Sequence, residues 1–285
     1  MSKKLYTNEQ ILNFHKKYLS DNPSMAIFCK KENLSYHSLR KGFIRLNLPI
    51  IPLEFAKRKF PVNDNFFEKI DTEEKAYILG FIYADGCNHE LSHRLEISLA
   101  EQDEDILVRI SKTLLYGNIN VKKYKKRKNS QQNKIGLYIV SRKISKDLKL
   151  HGCPARKTFI LKFPTLTDNL RQHFIRGYFE GDGMLKIYKR KHNNYQEANF
   201  SIVSTKEMLI EISKQFIELG VNSTINKRHK NRLNNNFTLR VSGNQQIKKV
   251  CDFLYNNSTI FSKRKHETYS YLTSIKVKKY QKSHL

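Results

Sequence analysis

The sequence contains no run of apolar residues approaching the ~20 needed to cross a bilayer, and no segment with the broad apolar face of an interfacial helix. Its first residues, MSKKLYTNEQ, lack the apolar stretch of a secretory signal. The four cysteines, Cys29, Cys87, Cys153 and Cys251, lie far apart with no pair at Cys-x-x-Cys spacing. That argues against a disulfide framework or a structural zinc site. The expected compartment is a reducing one, either a cytoplasm with its nucleoid or an organelle matrix. A glycine-rich phosphate loop and a Ser-His-Asp pattern are also missing. Negative charge is scarce, with 26 Asp and Glu against 53 Lys and Arg, a net charge of +27. Self-repulsion of that size weakens a compact state unless a polyanion relieves it, and nucleic acid fits that role better than a membrane.

There is material for a core. Of 285 residues, 39% are hydrophobic, including 17 Phe and 15 Tyr, enough for one large or two ordinary domains. Residues 1–48 read as a small helical domain. Thr7 caps a first helix bearing Ile11, Leu12, Phe14 and Tyr18; Asn22-Pro23 ends it, and Ser24 caps the next. Residues 25–48 have a helix-turn-helix pattern. Phe28 and Cys29 share one helix, Asn33 falls where a sharp turn needs positive φ, and Ser35 caps a second helix with Leu39, Phe43 and Leu46 inward. Tyr36, His37, Ser38, Arg40 and Lys41 then face out, as on a DNA recognition helix. Pro49, Pro52 and Pro61, with the basic residues at 57–59, mark a linker over 49–70.

The remainder reads twice, as 71–164 and 165–285. In the first copy, 73–86 is a helix, 94–100 a strand and 104–117 a helix; 118–128 and 134–140 form a hairpin, and 144–152 a helix. In the second, 169–183 is a helix, 184–190 and 198–204 strands and 206–220 a helix; 222–230 and 237–243 are strands and 244–255 a helix. Local text repeats as well, ILVRISKTLLYG at 106–117 against LIEISKQFIELG at 209–220. Two copies are too few for a solenoid. The expected fold class is α+β: a pseudo-twofold duplicated αββαββα domain with two antiparallel sheets, plus the N-terminal helical domain. The first strand of the first copy is too short to place. Basic runs at 120–128 and 225–232 occupy equivalent strands, as a paired surface tracking DNA would require.

The most informative text is Ile78-Leu79-Gly80-Phe81-Ile82-Tyr83-Ala84-Asp85-Gly86, met again as Ile175-Arg176-Gly177-Tyr178-Phe179-Glu180-Gly181-Asp182-Gly183. Gly80 and Ala84, like Gly177 and Gly181, are four apart and form a small-residue stripe on a helix. Glycine within a helix costs up to ~1 kcal/mol against alanine, so two stripes imply two helices crossing with backbones nearly touching. Each stripe ends in Asp-Gly, which leaves the aspartate at the helix end. Crossed helices would bring Asp85 and Asp182 together. Two close carboxylates repel, and a hard divalent cation between them relieves the repulsion. Such an ion can activate water for phosphodiester hydrolysis. His89 and His93 fit surface or phosphate-contact roles better than metal ligation.

These paired segments resemble the signature of the LAGLIDADG homing endonucleases in their single-chain, two-motif form, and the similarity covers about residues 70–270. The resemblance implies a monomer with two sheets saddled over double-stranded DNA, cutting both strands to serve intron homing. It implies Mg²⁺ (or Mn²⁺) held by Asp85 and Asp182. It also implies a basic residue after each half's last helix: Lys157 in the first half, and Lys265, favoured over Lys263, in the second. Their role would be to stabilise transition-state charge or polarise the attacking water. The expected DNA contacts of the sheets are Lys123, Lys125, Arg127, Tyr138, Lys186, Tyr188, Arg190, Lys227, Arg228 and Arg240. The sequence departs from the signature at Tyr83, Glu180 and Arg176. Two other readings share the fold: a non-cleaving transcription regulator, and a maturase that binds host intron RNA.

Overall fold

Hydroxyl side chains start six of the helices, Thr7 among them, which accepts the Gln10 N–H at 3.3 Å ahead of the first. Ser24, Ser35, Thr72, Ser141 and Thr205 each accept a hydrogen bond from the backbone N–H three residues on, satisfying a donor the helix itself cannot. In the computed structural model, residues 6–21, 24–51, 58–125, 132–190, 195–228 and 234–275 are described, and the chain divides into units Met1–Pro61 and Val62–Leu285.

The first unit has helices α1 (Asn8–Asp21), α2 (Met25–Lys31) and α3 (Tyr36–Arg45). They pack Ile11, Tyr18, Met25, Phe28, Cys29, Leu39 and Phe43 into one small core. Asn33 takes φ 52° in the turn between α2 and α3, a conformation that asparagine tolerates. On α3, Tyr36, His37, Arg40 and Lys41 are exposed and Ser38 is half-buried.

The second unit carries the duplication. Its first half runs α4 (Glu73–Asp85), β1 (Gly86–His89), β2 (Arg94–Ala100), α5 (Glu104–Leu114), β3 (Val121–Tyr124), β4 (Lys134–Val140) and α6 (Arg142–Leu150). The second half runs α7 (Asp168–Asp182), β5 (Gly183–Lys189), β6 (Gln196–Ser204), α8 (Lys206–Glu218), β7 (Ser223–Lys227), β8 (Phe237–Val241) and α9 (Asn244–Tyr255). Both sheets are antiparallel, ordered β1-β2-β4-β3 and β5-β6-β8-β7, so the duplicated αββαββα fold is present in full. The strand that the sequence did not place is β1, four residues long. A further helix, α10 (Lys263–Ser274), had no sequence counterpart.

Each sheet buries alternate residues under helices, as period-two strands must. Leu95, Ile97, Leu99, Ile135, Leu137 and Ile139 line the core of the first half; Phe200, Ile202, Leu239 and Val241 line the second. Within the stretch read as a linker, Phe66 and Phe67 are buried and the Asn63 N–H donates to Leu114 O at 2.9 Å. No helix among the described residues is long and apolar enough to cross a membrane.

Candidate functional site

The site forms where α4 and α7 cross. Gly80 lies against the backbone of Phe174 and Tyr178, so a Cβ there would collide with the Phe174 carbonyl oxygen and come 2.9 Å from Tyr178 N. Gly177 meets Tyr77 and Phe81 in the same way, 2.9 Å from Phe81 N. A single 97-residue shift relates Gly80 to Gly177, Tyr77 to Phe174 and Phe81 to Tyr178, so the crossing obeys the pseudo-twofold axis. A Cβ on Gly181 would lie 2.8 Å from Asp85 Oδ2, which puts that carboxylate against the last turn of the helix bearing Asp182. The two acids end the two crossing helices, one residue before the edge strands β1 and β5.

Their electrostatics follow from that placement. Burial, then the charge of Asp182, pushes the Asp85 carboxyl up to about 6, while Lys265 and Lys157 pull it down. Asp182 opens to solvent with protein packed behind it. That packing raises its carboxyl, and Lys157, the Tyr178 hydroxyl, Lys265 and Arg228 oppose the rise. Two carboxylates that resist ionising together are a poor arrangement for a bare protein and a good one for a hard cation. Among the described residues no three His, Cys, Asp or Glu side chains gather to hold a metal. Mg²⁺ does not require a third: one or two carboxylates suffice when water and phosphate oxygens complete the shell. The donor set therefore fits Mg²⁺ or Mn²⁺.

Both lysines singled out by position are buried beneath these helix ends. Lys157 Nζ donates to Gly86 O at 2.5 Å and reaches Ala84 O at 3.5 Å. Lys265 Nζ donates to Phe179 O, Glu180 O and Gly183 O at 2.6–2.7 Å, and burial lowers its ammonium to about 8. Cations so placed complement the negative end of each helix dipole. Lys263, the second-ranked residue of the pair, is exposed, and its backbone N–H donates to Asp105 at 3.0 Å.

Sequence reasoning missed the polar cluster behind this site. Glu180 is buried, accepts the Tyr77 hydroxyl and the Ser262 N–H (2.7 Å), and is raised to about 7, burial being the largest cause. Arg176, fully buried, reaches Glu73 of the other half at 2.6 Å and the carbonyls of Leu254 and Ile260 at 2.9 and 3.0 Å. Glu73 also accepts from the Thr259 N–H at 2.8 Å. Arg264 forks onto Asp103 at 2.8 and 3.2 Å, a second tie between halves. The departures at 176 and 180 were the available signal, because a charged residue inside an interface helix needs a buried partner.

Strand register sorts the predicted sheet contacts. In the second half Lys186, Tyr188 and Arg240 occupy the face turned away from the helices. Arg190 and Arg228 continue that alternation one residue past their strands, Arg190 held by Glu197 at 2.5 Å. In the first half Tyr138 is on the open face, across from Glu96. Lys123 is not. It pairs with buried Ile135 and turns to the helix side, where it meets Glu104 at 2.7 Å and Glu101 at 3.4 Å. Lys227, level with Ile225 and opposite Phe237, likewise falls on the helix-side register. Lys125 is exposed just beyond β3, and Arg127 lies outside the described residues. The open face of the first half instead carries Arg94, Lys122, Tyr124 and Lys134. Carrying the inward parity of Val121 along β3 would have found Lys122 and Tyr124. His89 bonds Glu96 at 3.1 Å.

A family model described as the LAGLIDADG-like domain matches residues 72–149 and 169–254, more than half of the chain and one segment in each half. No curated protein matches. Among solved structures, the chain is similar to the LAGLIDADG homing endonuclease I-GzeII in complex with DNA target, at 12% identity and a TM-score of 0.48, over 70% of this chain and 88% of that one. It is similar to the I-LtrWI LAGLIDADG homing endonuclease bound to target DNA, at 14% and 0.45, over 74% and 90%. It is similar also to I-SmaMI bound to uncleaved DNA target in the presence of calcium ions, at 15% and 0.46, over 70% and 90%.

Proposed function

The chain belongs to the LAGLIDADG-like domain family, and from that premise we propose that it is a site-specific endonuclease that cuts both strands of DNA. One observation carries this reading. Asp85 and Asp182 end two helices in backbone contact, and each stands next to the edge strand of a sheet whose open face is rich in Lys, Arg and Tyr. A non-cleaving regulator would have no use for an arrangement that holds two carboxylates in mutual repulsion.

In this reading Asp85 and Asp182 hold the divalent ion, Mg²⁺ or Mn²⁺, which when bound supplies the positive charge that phosphodiester hydrolysis needs. Lys157 and Lys265 fix the helix ends that aim the two acids. Arg94, Lys122 and Lys134 on one sheet, with Lys186, Arg190, Arg228 and Arg240 on the other, neutralise backbone phosphates, while Tyr124, Tyr138 and Tyr188 offer contacts to base edges. Electrostatic binding of this kind weakens steeply as salt rises. Incubating the chain with a randomised duplex library and Mg²⁺, then sequencing the ends, tests the proposal. Staggered cuts in both strands at one long site are expected, and salt-sensitive binding without cutting would return the chain to the regulator reading.

The N-terminal unit is the proposed extension of the contacted site, through Tyr36, His37, Ser38, Arg40 and Lys41. Deleting residues 1–48 is expected to shorten the protected footprint and weaken binding through lost linkage, while cutting persists at high protein concentration. A nuclease footprint identical in length would reduce the unit to a cap without ligand.

A further inference from the structure

Among the described residues, the eight strands contain just two acidic residues, Glu96 in β2 and Glu197 in β6, one per sheet. Both fall on the open face, Glu96 between buried Leu95 and Ile97, and Glu197 next to buried Ala198. Each stands directly across the ladder from an open-face tyrosine, Glu96 from Tyr138 and Glu197 from Tyr188. Each is also held by an arginine. Arg94 reaches Glu96 Oε2 at 3.3 Å with its guanidinium 5.7 Å from the Tyr138 ring, and Arg190 reaches Glu197 Oε2 at 2.5 Å. Both glutamate side chains are 26% exposed, so they are braced at the surface without being covered.

A carboxylate on a face that meets DNA repels every phosphate. Its place in such an interface is over the base edges, where the partner must donate, because an ionised carboxylate only accepts. Arg190, and after it Tyr188, hold the Glu197 carboxyl below the usual range, which keeps it an acceptor at neutral pH. Glu96 Oε2 takes both His89, at 3.1 Å, and Arg94, and Oε1 stays open. In the major groove guanine and thymine present acceptors, and the donors are the amino groups of cytosine and adenine. Adenine sets its N7 acceptor beside the amino group, which repels a second carboxylate oxygen, whereas cytosine sets only a C–H there. Glutamate therefore fits cytosine. The arginine N–H groups not spent on the carboxylate remain for phosphate.

Resting on the DNA-binding part of the reading above, we propose that Glu96 and Glu197 are specificity residues, each accepting the amino group of one cytosine in the target. One such cytosine lies in each half-site. The repeat does not relate the two positions. Ile97 faces Gly86 and Ile202 faces Gly183, the glycines that follow the helix ends; Glu96 is one residue along its strand from that level and Glu197 five. Four residues of strand span about 13 Å, so the cytosine read by Glu197 lies farther from the middle of the target than the one read by Glu96.

The test selects bound duplexes from a randomised library with the full chain and chelated metal, so that no cutting enters the readout. For the parent chain, one strongly preferred cytosine is expected in each half-site. Glu96→Gln is expected to lower the inner cytosine preference about tenfold and to raise adenine, which glutamine binds through both N6 and N7, with the outer position unchanged. Glu197→Gln is expected to do the same at the outer position alone. Both variants should bind the pooled duplexes at least as tightly as the parent, because a negative charge facing a polyanion is gone. A carboxylate that merely propped up its arginine would instead weaken binding to every sequence alike. Unchanged base preferences in both variants, or that uniform weakening, would overturn the proposal. A parent chain that selects such a site and fails to cut it with Mg²⁺ defeats the endonuclease reading and leaves this one intact.

Discussion

Asparagine at position 85 or 182 is expected to abolish double-strand cutting and to leave duplex binding close to that of the parent chain. The substitution keeps the size of the side chain and removes the charge that a divalent ion requires, so a loss of about 10²–10³-fold or more in cutting rate is expected. Binding is expected to survive because the proposed phosphate contacts lie on the open sheet faces. Full cutting by either variant in Mg²⁺, measured by end-labelled cleavage, would dismiss the catalytic assignment.

The same variant has a second readout. In the metal-free protein the Asp85 carboxyl is raised from 3.8 to about 6 by burial and by Asp182. A folded-state value above the unfolded one means that the protonated form is the better tolerated. Stability from this group is intact below pH ~4 and is lost as pH rises through about 6, by no more than about 3 kcal/mol. Glu180 adds a slope of the same sign near 7. The thermal midpoint without metal is therefore expected to fall from pH 5 to pH 8, Mg²⁺ to restore it more at the higher pH, and Asp85→Asn to flatten the Asp85 share of the slope. A midpoint that climbs over this range would contradict the geometry of the paired acids.

Alanine at Gly80 or Gly177 carries the other large expectation. Helix propensity alone favours the change by up to ~1 kcal/mol. Against that, the added carbon would overlap a carbonyl oxygen of the opposing helix and press within 2.9 Å of an amide nitrogen. Neither obstacle is a side chain able to swing aside, so the helices must part, and Tyr77, Phe81, Phe174 and Tyr178 lose packing together. Overpacking typically costs 1–3 kcal/mol, and with backbone on both sides a net loss of about 3 kcal/mol is expected, roughly 6–12 °C in the thermal midpoint. Gly220→Ala gives the comparison. Its φ of 68° penalises a side chain by about 1–2 kcal/mol, but nothing lies within 4 Å, so cutting should persist there and fail in the interface variants.

Much of this architecture was legible because several kinds of signal agreed. The small-residue stripes, the Asp-Gly helix ends and the hydroxyl caps each pointed to the same helices, and internal repetition supplied the topology. What escaped did so for physical reasons. In VKKYKKRK cations occupy both parities, so the sequence by itself does not say that Lys123 turns inward to Glu104. The segment KRKHETYSYLTS has no clear apolar stripe and buries only Lys265 and Leu272 within α10, so periodicity does not mark it as a helix. Arg176 and Glu180 were visible as departures, but their partners are remote in sequence: Glu73 meets Arg176 only when the halves dock, and Ser262 reaches Glu180 from the segment after α9.

That docking has a consequence for the ancestry and engineering of the chain. The 97-residue shift maps Arg176 onto Leu79 and Glu73 onto Leu170. Were two copies of the second half to associate with each other, each guanidinium would face a leucine, and stranding a buried cation costs about 3–5 kcal/mol. Two first halves would forfeit the ion pair altogether. Despite its symmetric outline, this is a lock with one key: the duplication has become one-way, and a redesign that swaps halves between relatives must carry Glu73 and Arg176 across as a set.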